Sequence, residues 1–159
     1  MNDYWVVVTD GGKARFMVLE ERAGASSRGK FKLVEAARLL NPDHTVTGRR
    51  DTRKIRSGRD TARGSLAPHG YTDKRNPHDT ELLRRFASRI AGQAAMLVAN
   101  NKRASIVMVA DPRMLGLLRT ALLPVKKAGV QLDELRHDYT WCTAPQLCRH
   151  LAENDLLPA

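Results

Sequence analysis

Ala104-Ser105-Ile106-Val107-Met108-Val109-Ala110-Asp111-Pro112-Arg113-Met114-Leu115-Gly116-Leu117-Leu118 decides the fold. Its first seven residues are apolar almost without a break, the pattern of a strand covered on both faces rather than one with a solvated side. Asp111-Pro112 then supplies a capping carboxylate and a proline suited to a first helical turn. Met114, Leu115, Leu118 and Leu122 follow at helical spacing. A doubly covered strand running straight into an amphipathic helix is a βα unit, and it requires helices layered on a sheet.

Working outward, Val130–Leu135 reads as a short edge strand, and Thr143 to Leu151 as a last helix with Leu147 and Leu151 inward. Upstream, Asn76-Pro77-His78-Asp79 combines an N-cap, a proline and a first-turn acid. Leu82, Leu83, Phe86, Ile90, Ala94 and Leu97 then mark a long helix to about Ala99. The opening residues alternate or are β-branched: Tyr4–Val8, Ala14–Glu20 and Phe31–Ala36 form a three-stranded meander. Asp10-Gly11-Gly12 makes its first turn, with residues that tolerate positive φ, and the stretch from Gly24 to Gly29 its second. The order is βββ-α-β-α-β-α: an α/β fold with a mixed sheet, built from a βββ meander plus βα units, with helices packed on it. At 159 residues and 17.7 kDa the chain fits a single domain, 1–159. A long basic loop at about 41–76 interrupts it, a stretch with no sustained period of two or 3.6.

Charge is concentrated in that loop. The chain carries 27 Lys and Arg against 17 acids, a net +10 with a pI near 10.2, and 19 of the 27 are Arg. Arg49, Arg50, Arg53, Lys54, Arg56, Arg59 and Arg63 fall within Arg49–Arg63 beside two aspartates, so this short stretch holds half the excess. The planar guanidinium fork suits phosphates, and charge this localised is what a polyanion site needs. The seven cations are therefore the candidate nucleic-acid-binding residues, with His69 and Tyr71 placed to stack on a base. Arg84, Arg85 and Arg89 lie off the apolar stripe of the first helix and read as a solvated face.

Other chemistry is poorly represented. Cys142 and Cys148 match neither a redox pair nor half of a zinc site, and the five histidines do not cluster at ligand spacing. No phosphate-cradling glycine motif or nucleophile elbow occurs. No metal and no cofactor are expected. The apolar runs are too short to cross a bilayer, and Met1–Trp5 does not open a signal peptide, so a cytoplasmic protein without membrane insertion is expected.

Several stretches together resemble the bacterial host attachment protein family. They are Trp5-Val6-Val7-Val8-Thr9-Asp10 with Ala14-Arg15-Phe16, Asn41-Pro42, Glu81 with Arg85-Phe86-Ala87, Asp111-Pro112 through Arg119, and Glu134-Leu135 with Asp138-Tyr139-Thr140. The family is similar to the middle domain of archaeal and eukaryotic peptide-release factors, which implies an RNase H-like fold. In release factors the corresponding loop carries Gly-Gly-Gln. Here no Gly-Gly-Gln occurs, and Gly92-Gln93 lies within a predicted helix. An RNase H-like fold also implies a test of Asp10, Glu81 and Asp111 as a Mg²⁺-binding nuclease set, although each has a local capping or turn use. The leading expectation is a non-catalytic RNA- or ribosome-binding protein. The alternatives are a host-attachment or adhesion-related interaction protein and a Mg²⁺-dependent nuclease.

Overall fold

The computed structural model describes residues 3–24, 29–43, 77–101 and 103–158. Three strands open the chain: β1 (Tyr4–Thr9), β2 (Lys13–Glu21) and β3 (Phe31–Leu40). They are followed by α1 (Pro77–Val98), β4 (Ser105–Ala110), α2 (Pro112–Ala121), α3 (Leu123–Lys127), β5 (Gln131–Arg136) and α4 (Ala144–Glu153). The strands form one five-stranded sheet in the order β3-β2-β1-β4-β5. The meander pairs antiparallel, while β1 with β4 and β4 with β5 pair parallel. The mixed α/β architecture expected from the sequence is therefore present, with β5 at one edge and β3 at the other.

The two central strands explain the uninterrupted apolar runs. Val6, Val8, Val107 and Val109 are fully buried on the face covered by α4, where Leu147 and Leu151 meet them. Val7, Ile106 and Met108 point the other way, into a core closed by Phe86 and Ile90 of α1 and by Leu115 and Leu118 of α2. Each large side chain so buried contributes about 1.5–3 kcal/mol. None of the described helices is long and apolar enough to cross a membrane.

Two elements differ from the sequence reading. The third strand runs on past Ala36 to Leu40, because a bulge between the pairs Phe16–Ala37 and Met17–Glu35 leaves Ala36 unopposed. One extra residue shifts the inward–outward alternation, which is why the pattern fades there. The helix after β4 is divided. Leu122 caps α2 by donating its N–H to Leu118 O, and α3 starts afresh with Pro124 in its first turn. Proline has no N–H to continue the α2 ladder, so the apolar spacing carries on while the helix does not.

Candidate functional site at the carboxyl edge of the sheet

β1, β4 and β5 are parallel, and β3 runs the same way after two antiparallel turns, so four strands end on one edge. At the neighbouring parallel strands β1 and β4 the chain turns opposite ways across the sheet, from β1 to β2 on one side and from β4, by way of α2 and α3, to β5 on the other. The carboxyl ends at such a divergence are where open α/β sheets hold their ligands.

Four polar or charged residues are buried among the described residues, and all four gather at this edge: Thr9, Arg15, Asn41 and Thr140. Buried polar groups need partners, and here the partners tie distant segments together. Thr9 donates its hydroxyl to Lys13 O at 2.8 Å, closing the β1–β2 turn. Within that turn Asp10 Oδ1 accepts from Gly12 N at 2.8 Å and Lys13 N at 3.0 Å. Gly11 adopts φ +86°, and a Cβ there would stand 2.9 Å from Leu83 of α1. A residue with a side chain would thus be strained by its φ, and the Leu83 side-chain end would have to move aside. Asn41 donates Nδ2 to Gly11 O at 2.9 Å and its backbone N–H to Gly12 O at 2.8 Å, which pins the end of β3 to the same turn.

The connection from β5 to α4 forms the other half. Thr140 donates its hydroxyl to Asp138 Oδ1 at 2.6 Å, with Asp10 Oδ2 at 3.3 Å. Arg15 reaches out of β2 to donate Nη1 to Thr140 O at 3.2 Å and Cys142 O at 2.8 Å, and Nε to Glu35 Oε2 at 3.2 Å. Glu35 also accepts from Arg38 at 2.7 Å. These bonds, Arg38's first, hold the Glu35 carboxyl below the usual carboxylate range against the opposing effect of burial. Above the polar layer Trp141 is 79% exposed, with Lys13 Nζ 4.1 Å from its ring centroid. Leu40, the strand partner of Lys13, is 65% exposed. Tyr139 is stacked between His137 and His150, with centroids 4.8 and 4.3 Å away.

The carboxylates singled out from the sequence behave as local structural groups. Asp10 and Asp111 do end neighbouring strands. Asp111 Oδ1, however, accepts from Met114 N at 2.9 Å and caps α2. Glu81 pairs on the α1 surface with Arg84 at 2.8 Å and Arg85 at 3.7 Å. No group of three or more His, Cys, Asp or Glu side chains able to hold a metal ion occurs among the described residues. Arg84 and Arg85 are exposed, as a solvated face should be, while Arg89 donates to Leu40 O at 3.4 Å. Cys142 and Cys148 are free thiols.

Arg49, Arg50, Arg53, Lys54, Arg56, Arg59 and Arg63, with His69 and Tyr71, lie outside the described residues. The residues on either side of that stretch are positioned at this edge. Asn41 is held by the Gly11-Gly12 turn, and Thr80 in the first turn of α1 accepts from Arg113 Nη2 at 2.8 Å, just beyond the end of β4. Sequence reading did not single out Glu35, Asp138 or Thr140 as site residues. Arg15 left one signal, a cation set between the apolar residues Ala14 and Phe16.

The stretches Thr9-Asp10, Arg15, Asn41, Asp111-Pro112 and Asp138-Thr140, scattered over most of the sequence, thus meet at one edge. No curated protein matches the chain. Residues 5–151, close to its full length, match the model of a family described as "protein required for attachment to host cells", and the chain belongs to that family.

Proposed function

We propose that this chain is a non-enzymatic interaction protein in attachment to host cells, and that it engages a polyanionic partner through the cations of Arg49–Arg63. The family match over residues 5–151 carries the reading. Two features support the polyanion: the localised excess of the basic stretch in the sequence, and the polar network that holds the residues flanking it on one edge. In this reading the buried bonds of Arg15, Asn41 and Thr140 have a scaffolding task, and the cations neutralise phosphate, sulfate or carboxylate groups on the partner.

The test is a strain lacking the gene, complemented with wild type or with a variant carrying Arg50, Arg53, Arg56 and Arg59 as Ala. Loss of attachment on deletion, rescue by wild type and no rescue by the variant are expected. An intact attachment phenotype on deletion would overturn the reading. Full rescue by the variant would remove the basic stretch from it.

The Arg weighting of the same stretch favours a second reading, binding to RNA or the ribosome, since Arg serves phosphate backbones better than Lys. Co-sedimentation of the protein with ribosomes across a salt series separates the two. Phosphate contacts weaken steeply with salt, so binding that falls accordingly and is lost in the same variant would favour RNA. No sedimentation at low salt would eliminate it.

A further inference from the structure

A groove of about 810 Å³ lies between the start of β3 and one side of α4, at the other end of β3 from the polar edge. Its first wall is Gly29–Leu33, a segment that turns at Gly29-Lys30 and runs as extended chain from Phe31 into β3. β3 has no neighbouring strand on its outer side. Arg22 N donates to Lys30 O at 2.6 Å, which turns Lys30 toward β2. By the alternation of an antiparallel pair, Phe31 and Leu33 then direct their backbone N–H and C=O groups outward. The Cys148 thiol, 3.7 Å from Phe31 O, marks that carbonyl as facing α4. The second wall is α4, with Cys148 and Ala152 one turn apart, and Leu33, Phe31 and Leu157 provide an apolar floor.

Charge selects the occupant. Arg22, Lys30, Lys32 and Arg149 surround the groove against the single acid Glu153. Lys30 and Lys32 hold Glu21 and Glu20 at 3.2 and 2.9 Å in exposed pairs, which are weak and readily exchanged. Arg22 and Arg149 are in no ion pair among the described residues. A second copy of the chain is a poor fit, because lysines on an edge strand and a net +10 repel a like strand. We propose that this groove binds an extended segment of a partner protein, with apolar residues alternating with Asp or Glu, which adds to β3 as a sixth strand beneath α4. Main-chain bonds to Phe31 and Leu33 give the binding energy, the apolar floor takes alternate side chains, and the cationic rim selects acidic ones. This inference does not depend on the basic stretch or on the attachment reading.

The probe is a display library of random octapeptides selected on the immobilised full-length chain. Selection is expected to enrich peptides that alternate apolar and acidic residues. Hydrogen exchange in their complexes should slow at the amides of Phe31 and Leu33. Binding of the consensus peptide should weaken roughly tenfold in Arg149→Glu, a rim reversal on an exposed residue, and disappear in Ala152→Trp, which fills the groove. Arg85→Glu, on the opposite face of the sheet, should leave it unchanged. A selection without acidic enrichment, or bound peptides that leave the two amides unprotected, would overturn the proposal. So would full binding by Arg149→Glu.

Discussion

Arg15 satisfies three acceptors at once: the carbonyls of Thr140 and Cys142 and the carboxylate of Glu35. Removing the guanidinium leaves the carbonyls of Thr140 and Cys142 without this donor while Glu35 keeps Arg38, and buried acceptors left unpaired cost more than the bond itself contributes. Arg15→Ala should therefore lower stability by about 2–4 kcal/mol, read from urea unfolding midpoints at unchanged slope. Arg15→Lys should recover only part of this, since a point charge cannot serve three acceptors in the fork's geometry. Glu35 gives the matching pH dependence. Its folded-state pKa is depressed, so its contribution is complete above its unfolded value of about 4.3 and is lost as pH falls through the lower folded value. The stability gap between wild type and Glu35→Gln should be constant above about pH 5 and close progressively below about pH 4. None of this was legible in the sequence. Arg15 stood out as a cation between Ala14 and Phe16, but the carbonyls it serves lie more than 120 positions away, beyond the reach of any local pattern.

At the scale of elements, legibility follows periodicity and caps. α4 begins where Thr143 predicts. Its side chain accepts from Gln146 N at 3.4 Å, and Gln146 Oε1 returns the bond from Thr143 N at 2.9 Å. This reciprocal pair stabilises the helix that roofs one face of the sheet, and Thr143→Ala should cost about 1 kcal/mol in thermal or denaturant unfolding. β1 and β4 were equally plain, because strands covered on both faces favour continuous apolar runs such as Val6–Val8 and Ile106–Ala110. The two misreadings share a cause. Ala36 and Pro124 each change the backbone locally while the apolar spacing around them continues, so the pattern reports a core face without reporting the break. The adjacency of Asp10 and Asp111 follows from the β1–β4 pairing, which the family resemblance implied and the order of elements along the chain does not by itself give. Their local uses, in a tight turn and a helix cap, are legible from Gly11-Gly12 and Pro112 beside them, and the bonds to Lys13 N and Met114 N match.

For the whole molecule, the decisive pairing is the parallel ladder between β1 and β4, which joins Tyr4–Val8 to Ser105–Val109. It closes a chain loop containing β2, β3, residues 44–76 and α1, so the sheet's centre cannot form until sequence-distant segments meet. Loop-closure entropy grows only with the logarithm of length. Removing residues 44–76, roughly a third of that loop, would alter the closure term by only about 0.3 kcal/mol. The closure of this ladder is therefore nearly indifferent to how long the intervening stretch is. As far as chain closure is concerned, a stretch inserted between β3 and α1 can change in length and charge while the central ladder closes at nearly the same entropic cost.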